Sequence, residues 1–117
     1  MSVAAGAARL SECGIKEGAV LVREQKIMSY GYNRDIIPGK EWNLSAISDA
    51  LMGSKENDIS NCTIFCTRFP KIEDMMLIVA TGIKTLYFLG DITDQAVVRF
   101  MKEINSIHNC LEVVRLQ

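Results

Sequence analysis

The chain has 117 residues, 49% of them hydrophobic, and a net charge of −1 with acids and bases interspersed. That length and apolar content suit one domain, residues 1–117, with a substantial core. They exclude several classes: no basic stripe offers a nucleic-acid footprint, no apolar run approaches the roughly 20 residues of a membrane span, and the N-terminus lacks the basic start and long apolar run of a signal peptide. The expected setting is cytoplasmic and reducing. Cys13, Cys62, Cys66 and Cys110 form no CxxC pair and read as plain thiols, which behave as small hydrophobes when buried.

Residues 3–13 are Ala-rich and read as a helix closed by Gly14. Residues 18–23 (GAVLVR) and 26–32 (KIMSYGY) read as two strands joined by Glu24-Gln25, a hairpin-length connection without the usual Asn-Gly. Gly31 near the end of the second strand marks a bulge or a close backbone approach. Residues 33–42 (NRDIIPGKEW) read as a loop with a turn at Pro38-Gly39. Asn43 is a good N-cap, and Leu44, Ile47, Leu51 and Met52 give a helical stripe ending near Gly53. Trp42, just before that cap, reads as a hydrophobic staple, with stacking on a base as the alternative.

Residues 63–67 (TIFCT) are a β-branched and aromatic run that suits a buried strand. Pro70 is placed to enter a helix whose apolar stripe is Ile72, Met75, Met76, Val79 and Ala80, with Gly82 at its C-terminal cap. Residues 86–89 follow as a second apolar strand. Two strands joined by a helix make a βαβ unit, so they should be parallel and central. Asp94 or Thr93 then caps a helix with the stripe Ala96, Val97, Phe100, Met101 and Ile104, and residues 111–116 (LEVVRL) form a last strand. The expected architecture is α/β: a mixed sheet of about five strands with helices on both faces.

In sequence order, several of these segments resemble the cytidine/deoxycytidylate deaminases. GAVLVREQKIMSYGYN is similar to their opening hairpin, with Gly31, Tyr32 and Asn33 keeping a Gly-Tyr-Asn signature. LSAISDAL resembles the first active-site helix, where the family writes His-Ala-Glu and this chain has Ser45, Ala46 and Ile47. FPKIEDMM resembles the second, where the family's Pro-Cys-x-x-Cys is replaced by Pro70-Lys71-Ile72-Glu73-Asp74. The resemblance implies a three-layer α/β/α deaminase-like fold. It also implies a family chemistry in which one His and two Cys hold a zinc ion that activates water, and a Glu shuttles protons.

Those positions hold Ser45, Lys71, Asp74 and Ile47 here. A serine hydroxyl is a poor zinc ligand, a lysine ammonium repels a dication, and one aspartate falls short of the three or four protein ligands that zinc needs. Isoleucine moves no proton. The expectation is therefore a pseudoenzyme: a deaminase-like protein without zinc or any other cofactor and without catalytic residues. It would act by binding, as a regulatory or structural subunit or an adaptor. The alternative is an active pyrimidine nucleotide deaminase with a rebuilt site, for which Cys66 and the lone histidine, His108, are the available extra groups. The resemblance further implies an oligomer, with copies of this chain or with an active deaminase or another protein. Two outcomes stay open for the old pocket. Either it collapses around Ile47, with Lys71 pairing Asp74 along the helix, or it stays open for a pyrimidine nucleotide held by Asn33, Arg34, Ser45 and Lys71, with Lys40 nearby.

Overall fold

The computed structural model describes residues 1–40, 42–55, 58–107 and 111–116. His108 and Cys110 lie outside them. A five-stranded sheet runs in the order β2-β1-β5-β6-β7, built from β1 (Gly18–Arg23), β2 (Lys26–Tyr32), β5 (Thr63–Cys66), β6 (Thr85–Phe88) and β7 (Glu112–Arg115). A two-stranded ladder, β3 (Arg34–Asp35) with β4 (Asn43–Leu44), stands beside it. The helices are α1 (Ser2–Ala8), α2 (Ala46–Met52), α3 (Ile72–Ala80) and α4 (Gln95–Ile107).

The sheet is mixed, as expected. β1 pairs antiparallel with β2 and with β5, while β5, β6 and β7 run parallel. The parallel half follows from the two crossover helices, α3 and α4, because consecutive parallel strands cannot be joined by a hairpin. One face of the sheet carries Ala19 and Leu21, Ile64 and Cys66, and Leu86 and Phe88, which register places in adjacent rows. That face packs on Ala46, Ile47 and Ala50 of α2, Met75 and Ile78 of α3, and Val97 of α4, forming the core. The opposite face holds Val20 and the stacked rings of Phe65 and Tyr87, 4.8 Å apart. Here α1 docks on β1, burying Ala4 and Ala7.

Several local expectations meet a different outcome. The first helix is only about two turns long, and beyond it Ser11 turns inward: its hydroxyl donates to the Asn33 carbonyl at 2.8 Å and accepts from the Cys13 amide. The Glu24-Gln25 turn adopts positive φ at both residues, 49° and 68°, the type I′ geometry that matches strand twist. Asn43 is not the cap of α2; it pairs with Asp35 in the β3–β4 ladder, and Ser45 caps instead. With the cap two residues later than expected, Leu44 and not Trp42 precedes it. Trp42 is no staple and stands 62% exposed.

On α3 the buried face is Met75 and Ile78, with Ile72 and Val79 half-buried, while Met76 and Ala80 face outward. The run from Met75 to Ala80 is apolar all round, so its periodicity alone fixes no face. Gly82 sits just after the cap residue Thr81 with φ of +81°, the left-handed position that ends a helix. The β2 bulge lies opposite Leu21 and Val22, not at Gly31. Gly31 instead marks the close approach of β2 to α2.

Candidate functional site

The N-termini of α2 and α3 meet at the end of the sheet. Ser45 has extended backbone dihedrals, and its Oγ accepts the Ser48 amide at 3.0 Å, capping α2. The same hydroxyl donates to Asp74 Oδ1 at 2.9 Å, and the Ser48 hydroxyl donates to that oxygen at 3.2 Å. Asp74 lies in the first turn of α3, whose cap residue is Lys71. One carboxylate therefore joins the starts of both helices, the end of the helix dipole that favours negative charge.

This cluster borders an open cavity of about 470 Å³ whose walls include Trp42, Asn43, Ser45, Ile47, Lys71 and Asp74. A second cavity of about 430 Å³ shares Glu17, Asn43, Arg68, Phe69, Pro70 and Lys71 with it. The pocket has not collapsed. Ile47 is 4% exposed and belongs to the core as well as to the wall. Nor does Lys71 pair with Asp74: among the described residues the ion pairs are Arg34–Asp49, Arg68–Glu17 and Arg115–Asp91.

The positions singled out from sequence fare differently. Ser45, Ile47, Lys71 and Asp74 all line the first cavity. Asn33 borders the second, but its side chain is engaged in holding the loop before β1: Oδ1 accepts the Glu17 amide at 2.8 Å and Nδ2 donates to the Ile15 carbonyl at 2.7 Å. Arg34 lines neither cavity. It is drawn to α2, where it pairs with Asp49 at 2.8 Å. Asp49 also accepts the Tyr32 amide at 3.2 Å, which ties β2 to that helix. Lys40 likewise stays away from both cavities. The sequence reading missed Arg68, which takes the place intended for Arg34, and Ser48, whose spacing of three from Ser45 was the available signal.

Burial pushes the Asp74 carboxyl above its ordinary value; the two serine hydroxyls and Lys71 oppose that, while Glu73 adds to it. A folded-state pKa above the unfolded one means that the native protein holds this proton more tightly. The contribution of Asp74 to stability is thus fullest below the unfolded pKa and is lost as pH rises through the folded value. Asp74→Asn imitates the protonated form and keeps an acceptor for the serines. Its stability relative to the wild type should climb over that window and then level off, as read from urea midpoints on both sides of it. A constant difference at every pH would contradict this assignment.

The resemblance raises the question of zinc. Cys66 is 2% exposed and borders the cavity, but burial, with Asp74 and Glu17 nearby, pushes its thiol far up, so it stays protonated and is a poor ligand. Among the described residues no three His, Cys, Asp or Glu side chains converge as a metal site requires. Asp74 is already engaged by two hydroxyls, and Lys71 adds positive charge. These residues do not fit a zinc ion. No helix among them is long and apolar enough to cross a membrane.

No family model and no curated protein matches the chain. Solved structures do. A dCMP deaminase from the cyanophage S-TIM5, in complex with dCMP and dUMP, superposes with a TM-score of 0.80 at 21% identity, covering 98% of this chain and 92% of that one. The apo form of that enzyme gives 0.78 at 25% identity over the same shares, 98% and 92%. A diaminohydroxyphosphoribosylaminopyrimidine deaminase/reductase from Thermotoga maritima gives 0.70 at 19% identity, covering 98% of this chain but 34% of that protein. Strand order, crossover helices and the two facing helix N-termini thus sit in a frame shared almost end to end, and the chain has the fold of the cytidine/deoxycytidylate deaminase-like superfamily.

Proposed function

We infer that this chain is a catalytically silent deaminase-fold protein that acts by binding, as a regulatory or structural subunit or an adaptor. The observation that carries this reading is the Ser45–Asp74–Ser48 cluster. It occupies the junction of the two helix N-termini with hydrogen-bonded side chains, one of them an anion, where the resemblance calls for a His/Cys/Cys set. Ile47, at the proton-shuttle position, is core. The open cavity supports a retained small-molecule site, and the dCMP and dUMP complex of the cyanophage neighbour supports a nucleotide as the kind of ligand. Assembly with copies of itself or with an active deaminase is the natural use of a subunit that binds without turnover.

The test is threefold and uses one sample purified without a metal-binding tag. Elemental analysis should find no stoichiometric zinc. Ammonia release from dCMP should not exceed a buffer control. The mass in solution should be a multiple of the chain, or become one on mixing with a partner deaminase. Stoichiometric zinc together with dCMP turnover would replace this reading with an active pyrimidine nucleotide deaminase. A strict monomer that joins no partner would remove the subunit role.

A further inference from the structure

One half of the sheet is covered on a single face. β5, β6 and β7 run parallel, and parallel strands are almost always covered on both faces. On the core face α2, α3 and α4 do this. On the opposite face, among the described residues, α1 lies over β1 and β2 and only edges onto β5. Register places Val20, Phe65, Tyr87 and Val114 in one row across that face. Val20, in the part under α1, is buried. Phe65, Tyr87 and Val114 stay partly exposed, with the two rings stacked side by side along the strip.

The strip has the width of one helix. β5 and β7 stand two strand spacings apart, roughly 10 Å, and a helix is roughly as wide. A helix centred on β6 would lie about 10 Å from α1 over β1, an ordinary distance for packed helices. A flat partner sheet could not reach the strip, because α1 rises beside it. α1 has an unfinished surface of its own. Ser2–Ala8 carries no charged side chain, and a helix without a polar face belongs in an interior. Yet Val3 on it and Leu10 just past its end are exposed. Charge agrees. Glu112 shares the face of Tyr87 and Val114, and Arg9 follows α1; neither forms an ion pair among the described residues. Area agrees as well. The chain exposes 7433 Å² at 13.0 kDa, about 1,100 Å² more than the roughly 6,300 Å² of a folded monomer of that mass. Each partner in a standard interface buries about 800 Å².

We propose that two copies of this chain pair through this face about a two-fold axis, with α1 of each copy laid in the strip over β5, β6 and β7 of the other. Two helices then fill one layer between two sheets. Val3 and Leu10 are covered, and an unpaired Arg9 comes to a face that carries an unpaired Glu112. A two-fold pairing closes on itself and stops at a dimer. The proposal rests on the reading that the chain acts as a subunit, and it names the partner and the surface.

Sedimentation velocity on the full chain over a micromolar concentration series tests it. The wild type should have the mass of two chains. The double variant Val3→Glu, Leu10→Glu changes two exposed positions, so circular dichroism should show the fold intact. It should raise the dimer dissociation constant at least about a hundredfold, because each copy would bury two uncompensated carboxylates. Met76→Glu, at an exposed position of α3 on the other side of the sheet, should leave the dimer unchanged. A monomeric wild type, a double variant as dimeric as the wild type, or a Met76→Glu protein that dissociates would each overturn the proposal. The reading beneath it fails differently. A monomer that still joins an active deaminase sinks this inference alone, whereas stoichiometric zinc with dCMP turnover sinks the silent-subunit reading whatever the mass.

Discussion

Gly31→Ala is expected to cost about 3 kcal/mol of stability, the upper end of what overpacking costs when a new side chain is forced into packed backbone. A Cβ at this position would lie 2.4 Å from the Ala50 amide nitrogen, 2.5 Å from the Ala46 carbonyl oxygen and 2.9 Å from the Asp49 Cβ. Two of those three atoms are main chain, so no side-chain rotation relieves the clash. α2 must move off β2 as a body. That movement strains the bond from the Tyr32 amide to Asp49 and pulls Ser45 away from Asp74. Gly6→Ala is the internal control: it lies inside α1 with nothing within 4 Å of its Cβ position, and it should stabilise by about 0.5–1 kcal/mol through helix propensity. Urea unfolding measures both. A Gly31→Ala protein within about 1 kcal/mol of the wild type would mean that helix and strand are not in direct contact, and the placement of the pocket floor would have to be redrawn.

The same glycine shows how far the sequence could be read. Its position inside a strand signalled a bulge or a close backbone approach, and α2 supplies the second. The hairpin, the βαβ unit and the last strand were legible because their periodicities and lengths are strong. Glu24 and Gln25 gave no turn signature, yet the strand twist on either side imposes left-handed dihedrals on both. The face of α3 was not legible, since a helix apolar all round is oriented only by what it packs against. The cap of α2 was missed for a related reason: Asn43 and Ser45 are both good caps, and the ladder between β3 and β4 claims the first of them. At the site, the resemblance brought Ser45, Ile47, Lys71 and Asp74 into one group, and they do line one cavity. It could not show that Asp49 would take Arg34, leaving Arg68 beside the pocket. Which cation meets which carboxylate is decided by distances between elements, and no single segment encodes them.

Introducing the deaminases' His/Cys/Cys ligand set should create a metal site at positions 45, 71 and 74. The triple variant Ser45→His, Lys71→Cys, Asp74→Cys is expected to bind zinc at one equivalent with a dissociation constant below about 1 μM, worth more than about 8 kcal/mol. The wild type should show no binding at that concentration. Positions 45 and 74 already meet, with their side-chain oxygens 2.9 Å apart, and position 71 lies one turn earlier at the start of α3. Substituting Ser45 removes a helix cap and costs about 1 kcal/mol, and Asp74→Cys removes the carboxylate that the serines had satisfied. Three ligands outweigh both losses, because a His/Cys/Cys set completed by water is a sufficient zinc site. Cobalt(II) substitution gives the readout, through thiolate charge-transfer absorption that appears at one equivalent and is bleached by zinc. Changing the same three positions to alanine removes every donor and should leave no signal. A folded triple variant that stays colourless would show that these positions do not converge on one ion, and the pseudoenzyme reading would lose its residue-by-residue basis. A coloured one would show that this frame still has the geometry of a metal site and that its side chains alone abolish the chemistry.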